Sequence, residues 1–163
     1  MKKVLMIGAG SRKIEVKDAE IVTLDISHQH DVDIYADLNK LPYCWAQDNE
    51  YDEIHAYEVL EHLGSQGDYK FFFEQFNEFH RILKPGGLLI ATVPAWNTIW
   101  AQGDPGHTRV ISEATLVFLT RKNYEEQVGK TAMSDYRDIY KGDFETMKLA
   151  REGVTFAFTL RAL

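Results

Sequence analysis

The sequence predicts an α/β domain: a mostly parallel sheet of about seven strands, ended by an antiparallel hairpin, with several helices missing or shortened on one face. Three observations support this prediction. Short apolar runs bounded by glycine or acidic residues recur along residues 4–93, as is typical of buried parallel strands. A clear amphipathic helix separates two of these runs, which indicates a crossover connection. Two further strand-like segments flank Arg151–Gly153 and predict the hairpin.

The strands follow in chain order. Five runs are predicted to form the parallel part of the sheet: Val4–Ile7, Glu20–Asp25, Val32–Asp37, Asp52–Tyr57 and Leu88–Val93. The turn sequence KPGG at residues 84–87 introduces the fifth run. Phe144–Ala150 and Val154–Leu160 are the predicted strands of the hairpin.

Two helices are predicted. Aromatic and aliphatic residues recur at helical spacing from Tyr69 to Leu83, with Ser65 or Asp68 as the start signal and Pro85-Gly86 as the stop. A second helix is expected to start at Ser112, to pass through Leu116 and Leu119, and to reach Val128 before Gly129.

Composition limits the possible functions. The chain has 163 residues, which favours one domain over residues 1–163 with a single core. A formal net charge of -7 argues against a nonspecific grip on nucleic acid. The single cysteine, Cys44, cannot form an internal disulfide, which favours a reducing cytoplasmic location. No apolar run reaches the 18 or so residues of a membrane span, so no membrane contact is expected.

The turn after the first strand is the first candidate binding feature. Residues 4–11 read VLMIGAGS, and Gly8 and Gly10 permit positive φ and leave no Cβ to obstruct a ligand. Asp25 ends the second strand and can accept both hydroxyls of a ribose. In open α/β sheets, ligands bind at this carboxyl edge. A plain tight turn beside a surface aspartate is the simpler alternative.

Five segments together resemble a known family. They are GAGSRKI at 8–14, DIS at 25–27, DLNKLP at 37–42, VLEHL at 59–63 and RILKPGG at 81–87. In this combination the chain resembles the class I S-adenosylmethionine (SAM)-dependent methyltransferases, which have a Rossmann-like fold, and is most similar to their small, minimal branch. The resemblance is good over residues 4–95, loose over the hairpin and poor over residues 96–143, which form a variable acceptor-side segment.

The resemblance implies SAM as cofactor, S-adenosylhomocysteine as product and a methyl acceptor that it does not identify. The residues it implies for cofactor binding are Gly8, Ala9, Gly10, Asp25, Ile26, Asp37, Leu38, Tyr57 and Glu58. The glycine turn would lie against the methionine part, with Asp25 at the ribose and Ile26 on the adenine. Asp37 would accept from the adenine amino group beside Leu38. Tyr57 or Glu58 would border the sulfonium, a cation suited to aromatic and carboxylate surroundings.

The acceptor side offers fewer signals. If the acceptor must lose a proton, His62 and His107 are the candidate catalytic bases, with Glu61 beside the first. Arg109 could clamp an anionic group of the substrate, and Trp96 could wall its pocket. The simpler alternatives are a helix start at His62 and a solvated loop around His107. The spacing of histidines and acids indicates no metal site.

Helices are missing where the family would have them. The 14 residues between Gly10 and Asp25 would be filled by a crossover helix and its turns, yet SRKIEVKDAE shows weak helical periodicity. Only 11 residues separate Asp25 from Asp37, too few for a full helix, and no helix is predicted before the first strand. Those helices would cover one face of the sheet, whose central strands look apolar on both sides. Such a face is an association site, so a homo-oligomer or another protein partner is expected. Folding-back of residues 96–143 over that face is the competing explanation.

Two other functions remain as alternatives. A non-catalytic SAM-binding or scaffold subunit would keep the pocket without a complete acceptor site. A nicotinamide dinucleotide oxidoreductase would need a third glycine in GxGxxG, where this chain has Lys13.

Overall fold

The computed structural model describes all residues 1–163 and contains one seven-stranded sheet. Its strands are β1 (Lys2–Ile7), β2 (Ala19–Asp25), β3 (Ile34–Tyr35), β4 (Tyr51–Tyr57), β5 (Leu83–Pro94), β6 (Phe144–Glu152) and β7 (Thr155–Ala162). Their order across the sheet is β3-β2-β1-β4-β5-β7-β6. Strands β1 to β5 pair in parallel, and β7 runs antiparallel to both β5 and β6. The predicted fold class is confirmed.

The third strand is much shorter than predicted. Only Ile34 and Tyr35 pair with β2, although the apolar run extends over Val32–Asp37. The side chain of Asp33 explains the difference. It accepts hydrogen bonds from the backbone N–H of Thr23 at 2.8 Å and from the Thr23 hydroxyl at 2.7 Å. The carboxylate thus takes the place of a backbone partner, and strand pairing begins only after it.

The first predicted helix is confirmed as α1 (Tyr69–Ile82). Asp68 caps it by accepting from the backbone N–H of Phe71 at 3.1 Å. The helix presents Phe73, Phe76 and Phe79 to the sheet, all of them buried. None of the helices reaches the length and apolar character that crossing a bilayer requires.

The second predicted helix is interrupted. It starts at Ser112 as expected, but it divides into α3 (Glu113–Leu116), a 3-10 turn (Val117–Leu119) and α4 (Arg121–Gln127). The break lies at Thr120, which is extended and donates its hydroxyl to the carbonyl of Phe144 at 2.7 Å. Contacts with the start of β6 therefore override the local helical preference. One further short helix, α2 (Ile99–Gly103), follows β5.

One face of the sheet carries the main core. Residues of α1 and of segment 96–143 pack there against alternate side chains of the strands. The segment contributes Ile111, Leu116, Leu119, Tyr124 and Tyr140 to the same buried cluster as Phe76 and Phe158. Residues 96–143 therefore cover the face that α1 covers, and the alternative that they fold back over the helix-poor face is wrong.

The opposite face, here called the open face, has no helix over it. The connections after β1 and β2, residues 8–18 and 26–33, contain only turns and loops. Ala9 and Val32 of these connections form a small cluster with Met6 of β1, and a cavity of about 490 Å³ lies between the two connections. The predicted loss of helices is thus confirmed on this face.

A chain of polar side chains crosses the open face along β4. Lys2 Nζ lies 2.7 Å from Glu53, Glu53 lies 2.9 Å from His55 Nε2, and His55 Nδ1 lies 2.7 Å from the Tyr57 hydroxyl. Burial on its own raises the pKa of Glu53, but hydrogen bonds from Lys2 and His55 outweigh it and hold that pKa below its ordinary value. The expectation that the central strands are apolar on both sides is therefore wrong for β4.

Candidate functional site

A cavity of about 400 Å³ opens at the carboxyl ends of β1, β2 and β4, which lie side by side in the sheet. This volume is within the range of small-ligand sites. Five of the predicted cofactor residues line it: Gly8, Asp25, Ile26, Asp37 and Leu38. Val59, His62 and Leu63 close the side that faces the loop after β4. Residues separated by up to 55 positions thus meet at one edge of the sheet.

Gly8 is required by both conformation and space. Its φ is +61°, in the left-handed region that side chains disfavour. A Cβ at this position would lie 2.5 Å from Cγ2 of Val59, well inside contact distance. The absent side chain therefore lets β1 turn directly beneath Val59 at the wall of the cavity.

Asp25 holds the glycine turn closed. Its carboxylate accepts hydrogen bonds from the backbone N–H of Gly10 and of Ser27, each at 2.8 Å. Each oxygen keeps a second lone pair that faces no other donor of the chain. The sequence predicted Asp25 as a ligand-binding group but did not predict its contact with Gly10, which fixes the turn relative to β2.

The next acidic position, Asp37, is only partly engaged. One of its oxygens accepts from the backbone N–H of Asn39 at 2.9 Å. Asn39 in turn accepts from the backbone N–H of Gly64 at 2.8 Å, which ties this loop to the segment after β4. Beside them Ile26 is 62% exposed, so the cavity has an apolar surface that a flat ring could cover.

The other four predicted cofactor residues do not line this cavity. Ala9 is buried on the open face, and Tyr57 points the same way, with its hydroxyl on His55 and Arg12 over its ring. Gly10 lines the larger cavity on the open face. Glu58 is exposed and takes a φ of +55°, an unusual value for a residue other than glycine and one often found at functional sites.

Glu61 and His62 come together with His107, which lies 45 positions after His62 in the chain. The Glu61 carbonyl accepts from the backbone N–H groups of Thr108 and Arg109, at 2.9 and 3.3 Å, and so brings the two segments together. The rings of His62 and His107 then meet edge to face with centroids 4.7 Å apart. This group adjoins the cavity because His62 lines both.

The carboxyl group of Glu61 is isolated from water. Its residue is 2% exposed, and no donor reaches either oxygen. Burial raises the pKa of Glu61 to about 8; the neighbouring carboxylate of Glu58 acts in the same direction and Arg109 in the opposite one. A buried polar group without partners calls for an explanation.

The sequence predicted that Arg109 would contact the acceptor, but the structure places it inside the protein. It is 5% exposed, its Nε donates to the carbonyl of Leu60 at 2.8 Å, and its guanidinium lies over Phe71 and Phe72. Burial lowers its pKa to about 10. These contacts give Arg109 a structural role beneath the loop after β4, and it lines a separate apolar cavity of about 330 Å³.

Trp96 remains accessible beyond the end of β5. It is 50% exposed, with Arg151 over its ring, and Ile99 and Trp100 nearby are also exposed. The carbonyl of Trp100 is bound to Nδ1 of His107 at 2.7 Å, so this apolar rim is attached to the histidine pair.

Comparison with known proteins gives a consistent family and fold. A family model described as a methyltransferase domain matches residues 7–91, just over half of the chain. No curated protein matches the sequence.

Three solved structures from archaea illustrate the likeness in fold. A chain from the Haloferax volcanii complex of the Trm112 methyltransferase activator with a methyltransferase is similar at TM-score 0.62 and 16% identity, over 99% of this chain and 82% of that one. A SAM-dependent methyltransferase from Methanosarcina mazei gives 0.62 and 17%, over 99% and 92%. One from Archaeoglobus fulgidus gives 0.60 and 15%, over 98% and 86%.

Proposed function

The chain belongs to the methyltransferase-domain family and is a SAM-dependent methyltransferase of class I fold. We propose that its acceptor is a small molecule with a hydroxyl or amino group, which binds beside His62 and His107. The observation that supports this proposal most directly is the position of His62. It lines the cavity that Gly8 and Asp25 form and also contacts His107 on the side of the Trp96 rim.

The cavity suits SAM in size and chemistry. Asp25 offers lone pairs on both oxygens for the ribose hydroxyls, and Asp37 has an oxygen free for the adenine amino group. Ile26 and Leu38 supply the apolar surface for the adenine ring. Glu58 lies between the end of β4 and Val59 of the cavity wall, and its carboxylate adds negative charge for the sulfonium. Gly10 and Ala9 stabilise the glycine turn on its open-face side, and Tyr57 packs beside β4 on the same face.

The chemistry needs positioning above all. SAM supplies an activated methyl group, whose bond to sulfur breaks as the bond to the acceptor atom forms. Well-oriented reactants account for on the order of 7–11 kcal/mol of a barrier. The chain must also take up the proton of a hydroxyl or amine, and the imidazole lone pairs of His62 and His107 are the acceptors in reach. Trp96 and Trp100 provide an apolar wall for the rest of the acceptor. Arg109 lies beneath the loop after β4 and fixes its position.

Replacing His62 or His107 by glutamine is expected to separate cofactor binding from transfer. Calorimetric titration should give a SAM dissociation constant within about threefold of wild type, because His107 lies outside the cavity and His62 borders it without making any of the hydrogen bonds proposed for SAM. Transfer of labelled methyl from SAM to a panel of small phenols, hydroxy acids and amines should fall at least 100-fold, the usual size of general-base effects.

His28→Gln is the matched control, since His28 is exposed and stacks on Tyr35 away from this group. Full transfer activity in both His62→Gln and His107→Gln would rule out their role. SAM binding without transfer to any member of the panel would favour the non-catalytic subunit.

For the open face, we propose a second copy of this chain as the partner. Ile21, Leu88 and Ile90 lie half-buried there between charged groups of both signs, so the face can match a copy of itself. The cavity of about 490 Å³ beneath residues 10–14 gives the partner a recess to fill. A single exposed cysteine, Cys44, and an acidic charge are consistent with a cytoplasmic location.

A charged side chain at the centre of the open face is expected to break this dimer. Sedimentation equilibrium at tens of micromolar should give a dimer for wild type and a monomer for Ile90→Lys, because Ile90 pairs with His55 in the middle of that face. Val117→Lys, which adds the same charge to the opposite side, should remain dimeric. A monomeric wild-type protein would contradict the proposal.

A further inference from the structure

We infer that Glu61, His62 and His107 bind a divalent transition-metal ion, of which Zn²⁺ is the type, at the acceptor side of the cavity. The binding site stands on its own geometry; what the ion does for the acceptor rests on the proposed function. One ring nitrogen of each histidine and one carboxylate oxygen lie within 4.8 Å of one another. Two imidazoles and a carboxylate are ligands that such ions prefer, and three protein ligands leave positions open.

Glu61 provides the strongest reason for an ion. A carboxyl group that is 2% exposed and has no hydrogen-bond partner on either oxygen lacks the partner that a buried polar group needs, and an ion that displaced its proton would supply one. Arg109 approaches but makes its hydrogen bonds elsewhere, to Leu60 and Gln75, and the carboxylate of Glu58 adds a second negative charge. A divalent ion would give the Glu61 carboxyl group the partner that it lacks.

Both histidines are held in the form that binds metals. Nδ1 of His62 lies 2.9 Å from the carbonyl of Gly106, and Nδ1 of His107 lies 2.7 Å from the carbonyl of Trp100. A carbonyl accepts only from N–H, so the proton of each neutral ring sits on Nδ1 and the lone pair on Nε2. Backbone carbonyls orient metal-binding histidines in this way in established sites.

The carboxylate of Asp104 is a possible fourth ligand. Asp104 fixes the loop by accepting from the backbone N–H of Gly106 with one oxygen, and its other oxygen lies 3.7 Å from Nε2 of His107. This side chain is half-exposed and can turn toward an ion. Ligand atoms about 2.1 Å from a tetrahedral ion lie roughly 3.4 Å apart, so binding would draw atoms that now lie up to 4.8 Å apart closer together.

An ion at this place would narrow the class of acceptor. It would hold an oxygen atom of the acceptor and favour loss of its proton to water before methyl transfer. The bond from carbon to sulfur then breaks as a carbon–oxygen bond forms. With an ion bound, His62 and His107 would act as its ligands, and this replaces the proton-acceptor role proposed for them in the ion-free site. Phenols or hydroxy acids with a second oxygen that can reach the ion are the acceptors that fit.

Metal titration of the chelator-treated protein tests this inference. Calorimetry with Zn²⁺ should show one site per chain with a micromolar or lower dissociation constant, and Co²⁺ should give visible absorption bands at the same stoichiometry. Glu61→Gln and His107→Gln should each weaken Zn²⁺ binding at least 100-fold, whereas His28→Gln should match wild type within twofold. Circular dichroism checks the fold, and His107→Gln serves if Glu61→Gln does not fold.

The outcomes separate the two proposals because SAM binding is measured in the same samples. No saturable Co²⁺ spectrum, or wild-type Zn²⁺ affinity in both variants, overturns the metal site, and intact SAM binding would then leave the proposed function in place. Site-specific Zn²⁺ binding without SAM binding supports the metal site and contradicts the cofactor assignment.

Discussion

Replacing Asp25 by alanine is expected to weaken SAM binding by at least 100-fold. Hydrogen bonds to a charged group contribute about 1.5–3 kcal/mol each, and the ribose hydroxyls would lose two of them. The backbone N–H groups of Gly10 and Ser27 would also lose their acceptor, so the turn would no longer be held to β2. Calorimetric titration with SAM and with S-adenosylhomocysteine measures the loss.

Two variants separate the direct effect of Asp25 from the structural one. Asp33→Ala removes a carboxylate that also accepts two hydrogen bonds beside β2 but lies outside the cavity, so it should bind SAM like wild type. Asp25→Asn retains one oxygen for the turn and should lose affinity while keeping most of the stability. Wild-type affinity in Asp25→Ala would show that SAM binds elsewhere.

Gly8→Ala is expected to lower the free energy of unfolding by about 2–5 kcal/mol and to abolish SAM binding. A left-handed φ costs a residue with a Cβ about 1–2 kcal/mol. The contact at 2.5 Å with Val59 adds an overpacking cost of about 1–3 kcal/mol. Urea unfolding followed by circular dichroism gives the change in stability.

Gly129→Ala is the control for the conformational part, since Gly129 has a φ of +78° and nothing within 4 Å of an added Cβ. Gly129→Ala should lower the free energy of unfolding only by the conformational part, about 1–2 kcal/mol. The double variant Gly8→Ala with Val59→Ala should recover the part that overpacking causes. Equal losses in Gly8→Ala and Gly129→Ala would show that Val59 yields without cost.

The sequence predicted the sheet well because its information is local. Apolar runs ending in glycine or acid placed β1, β2 and β4 within one or two residues, and the spacing of phenylalanines placed α1. Thr120 shows the limit of local information. Nothing near Thr120 in the sequence indicates that its hydroxyl donates to the carbonyl of Phe144, which lies 24 residues later in the chain. The interruption of the helix at Thr120 is therefore not visible locally.

The site was predicted only in part, because local sequence patterns do not show which distant segments meet. Five cofactor positions follow from motifs at strand ends, and they do meet at one cavity. The outward direction of Tyr57 was visible in DEIHAY, where Glu53, His55 and Tyr57 alternate with Ile54 and Ala56, as in a strand with one polar face. The meeting of Glu61 with His107 depends on backbone pairing across 47 residues, which no spacing rule covers.

The position of β7 between β5 and β6 has a consequence for synthesis of the chain on the ribosome. Seven residues of β5, Leu88–Pro94, pair with β7, which is made more than 60 residues later. Until then β5 is an unpaired edge that other nascent chains can extend. Phe156, Phe158 and Leu160 are also missing from the core at that stage. The strands that carry the proposed SAM site are therefore synthesised long before β7 covers the edge of β5. A chaperone that shields a strand edge would act in this interval.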